Sequence, residues 1–230
     1  MTEEKSLSAQ VKLYYDLYVP EGLKSGPRPL IIALHGYEGN KESMMAKMRL
    51  INSADLIIAS LQGPNAFLMR DGVSGRMPRV GFGWMMQYKA QETILLHHQA
   101  IQTIIDVVDR DHGLDRRSIF LIGFSQSVSL NYRFAFTNPG VIRGVVAVCG
   151  GIPGDWAEAK YSDSDTDVLI LAGETDEFYP LERTRTFKSA LEPRAGSVEF
   201  RTFPEGHVFS NSTLVGINEW LLERVAQPTA

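Results

Sequence analysis

Apolar, mostly β-branched runs alternate along this chain with segments of helical periodicity, and that alternation constrains the fold more than any other feature. "PLIIALHG", "DLIIASL", "SIFLIGF", "RGVVAVCGG", "TDVLILAG" and "SVEFRTF" are short runs closed by turn residues, as strands are. Five or six of them are apolar at successive positions, so both of their faces must be covered. Helical patterns are expected over Lys41 to Asn52, Ala90 to Asp111, Gln126 to Thr137, Leu181 to Leu191 and Asn211 to Val225; the second carries Ile94, Ile101, Ile104, Ile105 and Val108. An earlier run, "VKLYYDLYVP" (Val11 to Pro20), alternates like a strand. Buried strands joined by helices imply an α/β layer structure around a mostly parallel, doubly wound sheet. Sites in such sheets form beyond the carboxyl ends of the strands.

At 230 residues, 44% of them apolar, the chain is expected to be a single domain spanning 1–230. Its net charge of −4 comes without a Lys/Arg block, which argues against nucleic acid or an anionic membrane as partner. The opening "MTEEKSLSAQ" lacks the apolar core of a secretory signal. No run approaches the roughly 18 apolar residues of a membrane span. A soluble, cytoplasmic protein is the expectation, with a secreted one the alternative if a signal has been removed; the single cysteine, Cys149, fits a reducing compartment because it allows no intrachain disulfide. Nothing in the pattern speaks to oligomeric state.

Chemistry enters at "LIGFSQS", where the strand ending at Phe124 passes straight into a helical pattern. A serine at such a junction sits at the carboxyl end of a parallel strand, on a tight turn that lifts its hydroxyl above the sheet. Ser125 fits this G-x-S-x-G elbow. Residues two before and two after must be small because strand and helix backbones approach closely; Gly123 complies, and Ser127 departs from the pattern by one small polar group whose hydroxyl can bond nearby backbone. The other use of a serine here is as a plain helix N-cap.

A serine hydroxyl becomes a nucleophile only when a histidine takes its proton and an acid orients that histidine. On this type of sheet the order is serine, acid, histidine. Of five histidines only His207, in "PEGHVFS" beyond the strand ending at Phe203, follows Ser125. The acid is expected after the preceding strand, where "VLILAGETDEFYP" offers Glu174, Asp176 and Glu177; Asp176 is preferred for its short side chain, with Glu174 second. Backbone donors for an oxyanion are expected from Gln126 N–H and, in the loop after "PLIIALHG", from Tyr37 N–H. His35 reads as a buried residue fixing that loop. His97 and His98 are not expected to form a metal pair, since adjacent helical positions diverge by about 100°.

"LHGYEGN", "GFGW", "LIGFSQS", "AGETDEFYP" and "EGHVFS", spread over almost the whole chain, resemble the small carboxylesterase and phospholipase type of α/β-hydrolase that includes acyl-protein thioesterases. Feruloyl and polyester-depolymerase-like esterases are neighbours of that type. The resemblance implies an α/β-hydrolase fold with no large lid domain and gives Ser125, Asp176 and His207 the triad roles. It also gives Tyr37 and Gln126 the oxyanion hole, and sets Trp84 beside the active site. Ser127 stands where the family usually has glycine, and Met85 where an aromatic often follows the tryptophan.

The implied reaction is two-step hydrolysis of a small-molecule ester, short-chain acyl or aryl, with no metal and no organic cofactor called for. A peptidase or carbon–carbon hydrolase on the same scaffold, and a non-catalytic ligand-binding protein, remain as alternatives. Cys149, at the end of a buried strand, reads as a core thiol. Phe67, Met69, Met77, Phe82, Met85, Met86, Trp156 and Phe178 are candidates for an apolar wall or for ordinary core packing; pocket lining is preferred for Trp84 and Phe209. The connection Gln62 to Lys89 has no clear periodicity and is of a length usually functional or mobile.

Overall fold

The computed structural model describes residues 1–21, 26–51, 56–69, 78–86 and 88–225. Among them the chain runs β1 (Tyr15–Tyr18), β2 (Arg28–Leu34), α1 (Lys41–Met48), β3 (Ile57–Leu61), β4 (Asn65–Met69), β5 (Arg79–Gly83), α2 (Ala90–His112), β6 (Leu114–Phe124), α3 (Gln126–Thr137), β7 (Gly144–Val148), β8 (Asp167–Gly173), α4 (Leu181–Leu191), β9 (Ser197–Phe203) and α5 (Ser212–Val225). Seven strands form one sheet in the order β1-β3-β2-β6-β7-β8-β9, in which only the β1–β3 pair is antiparallel.

Successive side chains of a strand leave on opposite faces, and here each face has its own core. Leu30, Ile32 and Leu34 of β2 pack into a cluster with Ile101, Ile105 and Val108 of α2 and Val128 of α3. Ile31 and Ala33 enter a second cluster with Met44 and Met48 of α1 and Ile217, Trp220 and Leu221 of α5. Helices on both faces are therefore what the continuous apolar strands require, each fully buried Leu or Ile being worth about 1.5–3 kcal/mol. β2, β3, β7 and β8 are buried almost throughout, as is β6 from Ser118 to Gly123, whereas β9, at the sheet edge, is half-buried.

Helix boundaries follow the expectations closely at α3 and α4 and within a residue at α2 and α5. α1 stops four residues early, at Met48, and the expected end at Asn52 lies outside the described residues. The first strand is shorter than Val11 to Pro20, reduced to the four residues that pair with β3. The larger correction concerns Gln62 to Lys89, whose described residues hold a two-stranded ribbon: β4 and β5 pair antiparallel from Asn65–Gly83 to Met69–Arg79, and Phe82 bridges to Gly39 in the loop after β2. Glycines at 81 and 83 and a half-exposed ribbon leave little apolar alternation to read. Positions 70–77 and 87 of this connection, Met77 among them, lie outside the described residues.

β2 and β6 are neighbours, but β2 leads through α1 to β3 on one side while β6 leads through α3 to β7 on the other. The loops leaving β2 and β6 therefore diverge, and a crevice opens above them.

Candidate active site

β6 delivers Ser125 to that crevice in a backbone conformation that L-residues rarely adopt, φ +56° and ψ −115°. The Ser125 N–H donates to the Val148 carbonyl of β7 at 2.9 Å, and Val128 N–H donates to the Ser125 carbonyl at 3.2 Å, which fixes the turn between β6 and α3. Gly123 permits it: a Cβ there would come within 2.7 Å of Asn131 Nδ2. Ser125 occupies the N-cap position of α3 yet makes no side-chain cap bond. Its Oγ instead lies 2.8 Å from His207 Nε2.

His207 reaches this point from the loop after β9. The loop lies directly on the end of β8, where a Cβ on Gly173 would stand 2.4 Å from the Gly206 carbonyl oxygen. His207 Nδ1 is 2.9 Å from Asp176 Oδ2. A carboxylate can only accept, so Nδ1 carries the ring proton and Nε2 is left to accept from the serine hydroxyl. Asp176 is buried, and its second oxygen, Oδ1, accepts the N–H groups of Phe178 and Tyr179, each at 2.9 Å. Burial pushes the Asp176 carboxyl up, but the bonds from His207, Tyr179 and Phe178 outweigh it and leave the group below its ordinary range. The histidine ring is held between Phe124, Phe178 and Tyr179, with centroids at 5.1, 4.8 and 5.8 Å. Glu174, the second candidate acid, is exposed and accepts from Thr202 Oγ1 at 2.9 Å.

Tyr37 and Gln126 line the same cleft as Ser125 and His207, a space of about 770 Å³ closed further by Glu38, Phe124, Phe178, Tyr179 and Arg183. Gln126 opens α3, so its N–H has no intrahelical acceptor. Its side chain is committed elsewhere: Oε1 accepts Trp84 N–H at 2.7 Å and Nε2 donates to the Met85 carbonyl at 2.8 Å. The Tyr37 loop is held from below. His35 Nδ1 donates to the Gly36 carbonyl at 2.7 Å, and Nε2 accepts from Gly63 N–H at 2.9 Å. Burial lowers the His35 pKa, in keeping with a neutral ring in which Nε2 is an acceptor.

Trp84 and Phe209, expected to line the pocket, do not. Trp84 is fully buried, its Nε1–H donating to the His35 carbonyl at 2.7 Å, so its indole supports the loop that carries Tyr37. Phe209 is 6% exposed and packs beside Phe124, with the Lys47 ammonium 5.3 Å from its ring centroid. Trp156 is likewise a core residue, bonded to the Ala190 carbonyl at 2.9 Å. Phe178 does line the cleft. The Nδ1 atoms of His97 and His98 meet at 3.2 Å, although adjacent helical positions diverge; the contact does not in itself make them a metal pair.

Glu38 and Arg183 carry no motif signal, and their place in the cleft was not legible. Cys149 is the buried core thiol expected, and its Sγ lies with the Asp176 and His207 ligand atoms in a group spanning no more than 4.8 Å. Cys149 sits at φ +47° just past β7, and burial pushes its thiol up to about 12. A metal ion there needs the thiolate and competes with the ring proton that binds Asp176. The donor set suits a soft ion only at the expense of the Asp176–His207 bond.

Residues 21–223 match the model of the phospholipase/carboxylesterase family. The chain belongs to this family. Among curated relatives of this phospholipase/carboxylesterase chain, the probable carboxylesterase SOBER1-like of Arabidopsis thaliana is 24% identical over 133 residues, 55% of this chain and 51% of that protein. The putative esterase NocK of Nocardia uniformis subsp. tsuyamanensis is 26% identical over 180 residues, 75% and 47% respectively. The chain thus spans about half the length of the curated relatives it matches. A carboxylesterase from Mesorhizobium loti superposes with a TM-score of 0.71 at 21% identity, covering 91% of this chain and 94% of that one. For a carboxylesterase from Bacillus cereus the TM-score is 0.70 at 18% identity, with 92% and 94% covered. These likenesses establish the α/β-hydrolase fold with its mostly parallel sheet, and no large lid is evident among the described residues. Among the described residues no helix is long and apolar enough to cross a membrane.

Proposed function

We propose that this chain, as one hydrolase domain, is a serine carboxylesterase that cleaves short-chain acyl or aryl esters through Ser125, His207 and Asp176. The observation that carries the reading is the unbroken chain of contacts from Ser125 Oγ through the His207 ring to Asp176 Oδ2, at 2.8 and 2.9 Å. In the first step Ser125 Oγ attacks the ester carbonyl carbon while His207 Nε2 takes the hydroxyl proton. The tetrahedral oxyanion is received by the N–H groups of Tyr37 and Gln126. Its collapse breaks the bond to the alkoxide leaving group, which accepts the proton from Nε2. In the second step water, deprotonated by His207, attacks the acyl-enzyme carbonyl; the acid leaves and Ser125 regains its proton. Asp176 holds the Nδ1–H tautomer throughout and stabilises the transient imidazolium.

The preference for short chains follows from the cleft's exposure. Tyr37 and Phe178 at its walls are 56% and 64% exposed, and a methylene contributes about 0.8 kcal/mol only when it is buried. Rates on a series of para-nitrophenyl esters test both parts of the proposal. Hydrolysis with kcat/KM peaking at about two to six acyl carbons is expected. A preference rising steadily to sixteen carbons contradicts the open cleft, and the absence of ester turnover contradicts the esterase assignment.

A further inference from the structure

Two charged side chains outside the proposed triad line the cleft, Glu38 and Arg183. Arg183 stands in the first turn of α4, exposed, and no carboxylate among the described residues pairs with it, its neighbour Glu182 included. Elsewhere the arginines that carry structure are paired: Arg133 with Asp155, Arg143 and Arg224 with Asp167, Arg201 with Glu199. Arg183 leans instead on Phe187, its guanidinium carbon 5.9 Å from the centroid of that buried ring, which limits the directions its fork can take. The amino end of α4 adds partial positive charge on the same side.

Glu38 stands on the other wall. It is exposed, in the loop after β2, and held at φ +67°. Because the sheet runs β2-β6-β7-β8, the loop after β2 and the helix that follows β8 flank the loop that carries Ser125 from opposite sides. A largely aromatic cleft therefore carries an anionic side chain toward β2 and a cationic one toward α4.

We propose that the cleft selects esters bearing a carboxylate, with Arg183 receiving that carboxylate on the α4 side and Glu38 turning it away from the β2 side. The inference rests on the esterase reading above. A guanidinium offers two parallel N–H donors to a carboxylate, a geometry that a surface lysine does not supply.

Two matched pairs of probes test it. In one pair the charge is on the acyl side: mono-para-nitrophenyl adipate against its methyl-capped neutral form. In the other it is on the alcohol side: para-acetoxybenzoate against its methyl ester. The readout is the ratio of kcat/KM for the anion to that for its neutral partner. A ratio of about tenfold is expected in at least one pair, falling toward one in Arg183→Gln and also as ionic strength rises, with Arg183→Lys between. Equal rates within both pairs, or a preference that survives Arg183→Gln, overturn the proposal. Hydrolysis of neither member of either pair strikes instead at the esterase reading, so the two failures are distinct.

Discussion

Ser127 Oγ lies 3.0 Å from the carbonyl oxygen of Leu34, ninety-three residues away in sequence, and ties the carboxyl ends of β2 and β6 together. The same hydroxyl accepts the Phe124 N–H at 3.0 Å and lies equally close to the Phe124 carbonyl. A serine in place of the usual small elbow residue is thus a cross-link under the site. Ser127→Gly removes it at full burial and is expected to cost about 1–3 kcal/mol of stability, read by thermal unfolding, while kcat on a short ester stays within a few-fold. A loss of turnover as large as that of Ser125→Ala would move the chemistry to Ser127.

Trp84 acts through the His35 loop. Trp84→Phe keeps an aromatic side chain but is smaller and leaves the His35 carbonyl without its donor, the lost bond alone being an expected loss of about 1–3 kcal/mol. Since the same loop carries Tyr37, kcat should fall more than KM rises. Unchanged melting temperature and kcat would show that the bond does not position the loop.

The two candidate acids separate cleanly by mutation. Asp176→Asn retains the shape of the side chain but disfavours the Nδ1–H tautomer of His207, so kcat is expected to fall by about 10⁴. Glu174→Gln, on an exposed residue bonded to Thr202, should leave kcat nearly unaltered. The reverse ranking transfers the role to Glu174.

Buried histidines set an acid limit on the fold. Burial, with His98 alongside, lowers the His97 pKa to about 3, and burial, with Arg133 nearby, lowers that of His98 to about 4. The unfolded chain protonates both near the ordinary value of 6.5, so between that pH and about 3 it binds more protons than the native state. Stability is therefore whole above about pH 6.5 and declines as the pH falls. Urea unfolding at pH 7 and pH 4.5 should show this drop, and His97→Gln, which cannot charge, should lessen it. An equal drop in both proteins removes His97 as its source.

The sheet and its helices were legible because continuous apolar strands leave a periodic mark, and the three side chains proposed as a triad could be picked out by order: a serine at a strand–helix junction, an acid after the next-to-last strand and one histidine beyond the last. Asp176 was separable from Glu174 only by reach, and the structure adds the reason, two backbone N–H donors on Oδ1. What the sequence hid depends on contacts without period. β4 and β5 are half-exposed and glycine-containing, and Trp84 sits where a pocket residue is expected but turns its indole inward to His35. Arg183 and Glu38 belong to separate loops that only the strand order brings to one cleft.

The central claim is that Ser125 is the nucleophile activated by His207. Treating the protein with a para-nitrophenyl phosphonate and mapping the adduct by peptide mass spectrometry tests it most directly. One phosphonyl group on Ser125 is predicted, with concurrent loss of esterase activity, no adduct in Ser125→Ala and much slower labelling in His207→Gln. An adduct on Ser127 or another residue that accounts for the lost activity, or full activity with Ser125 modified, contradicts the account.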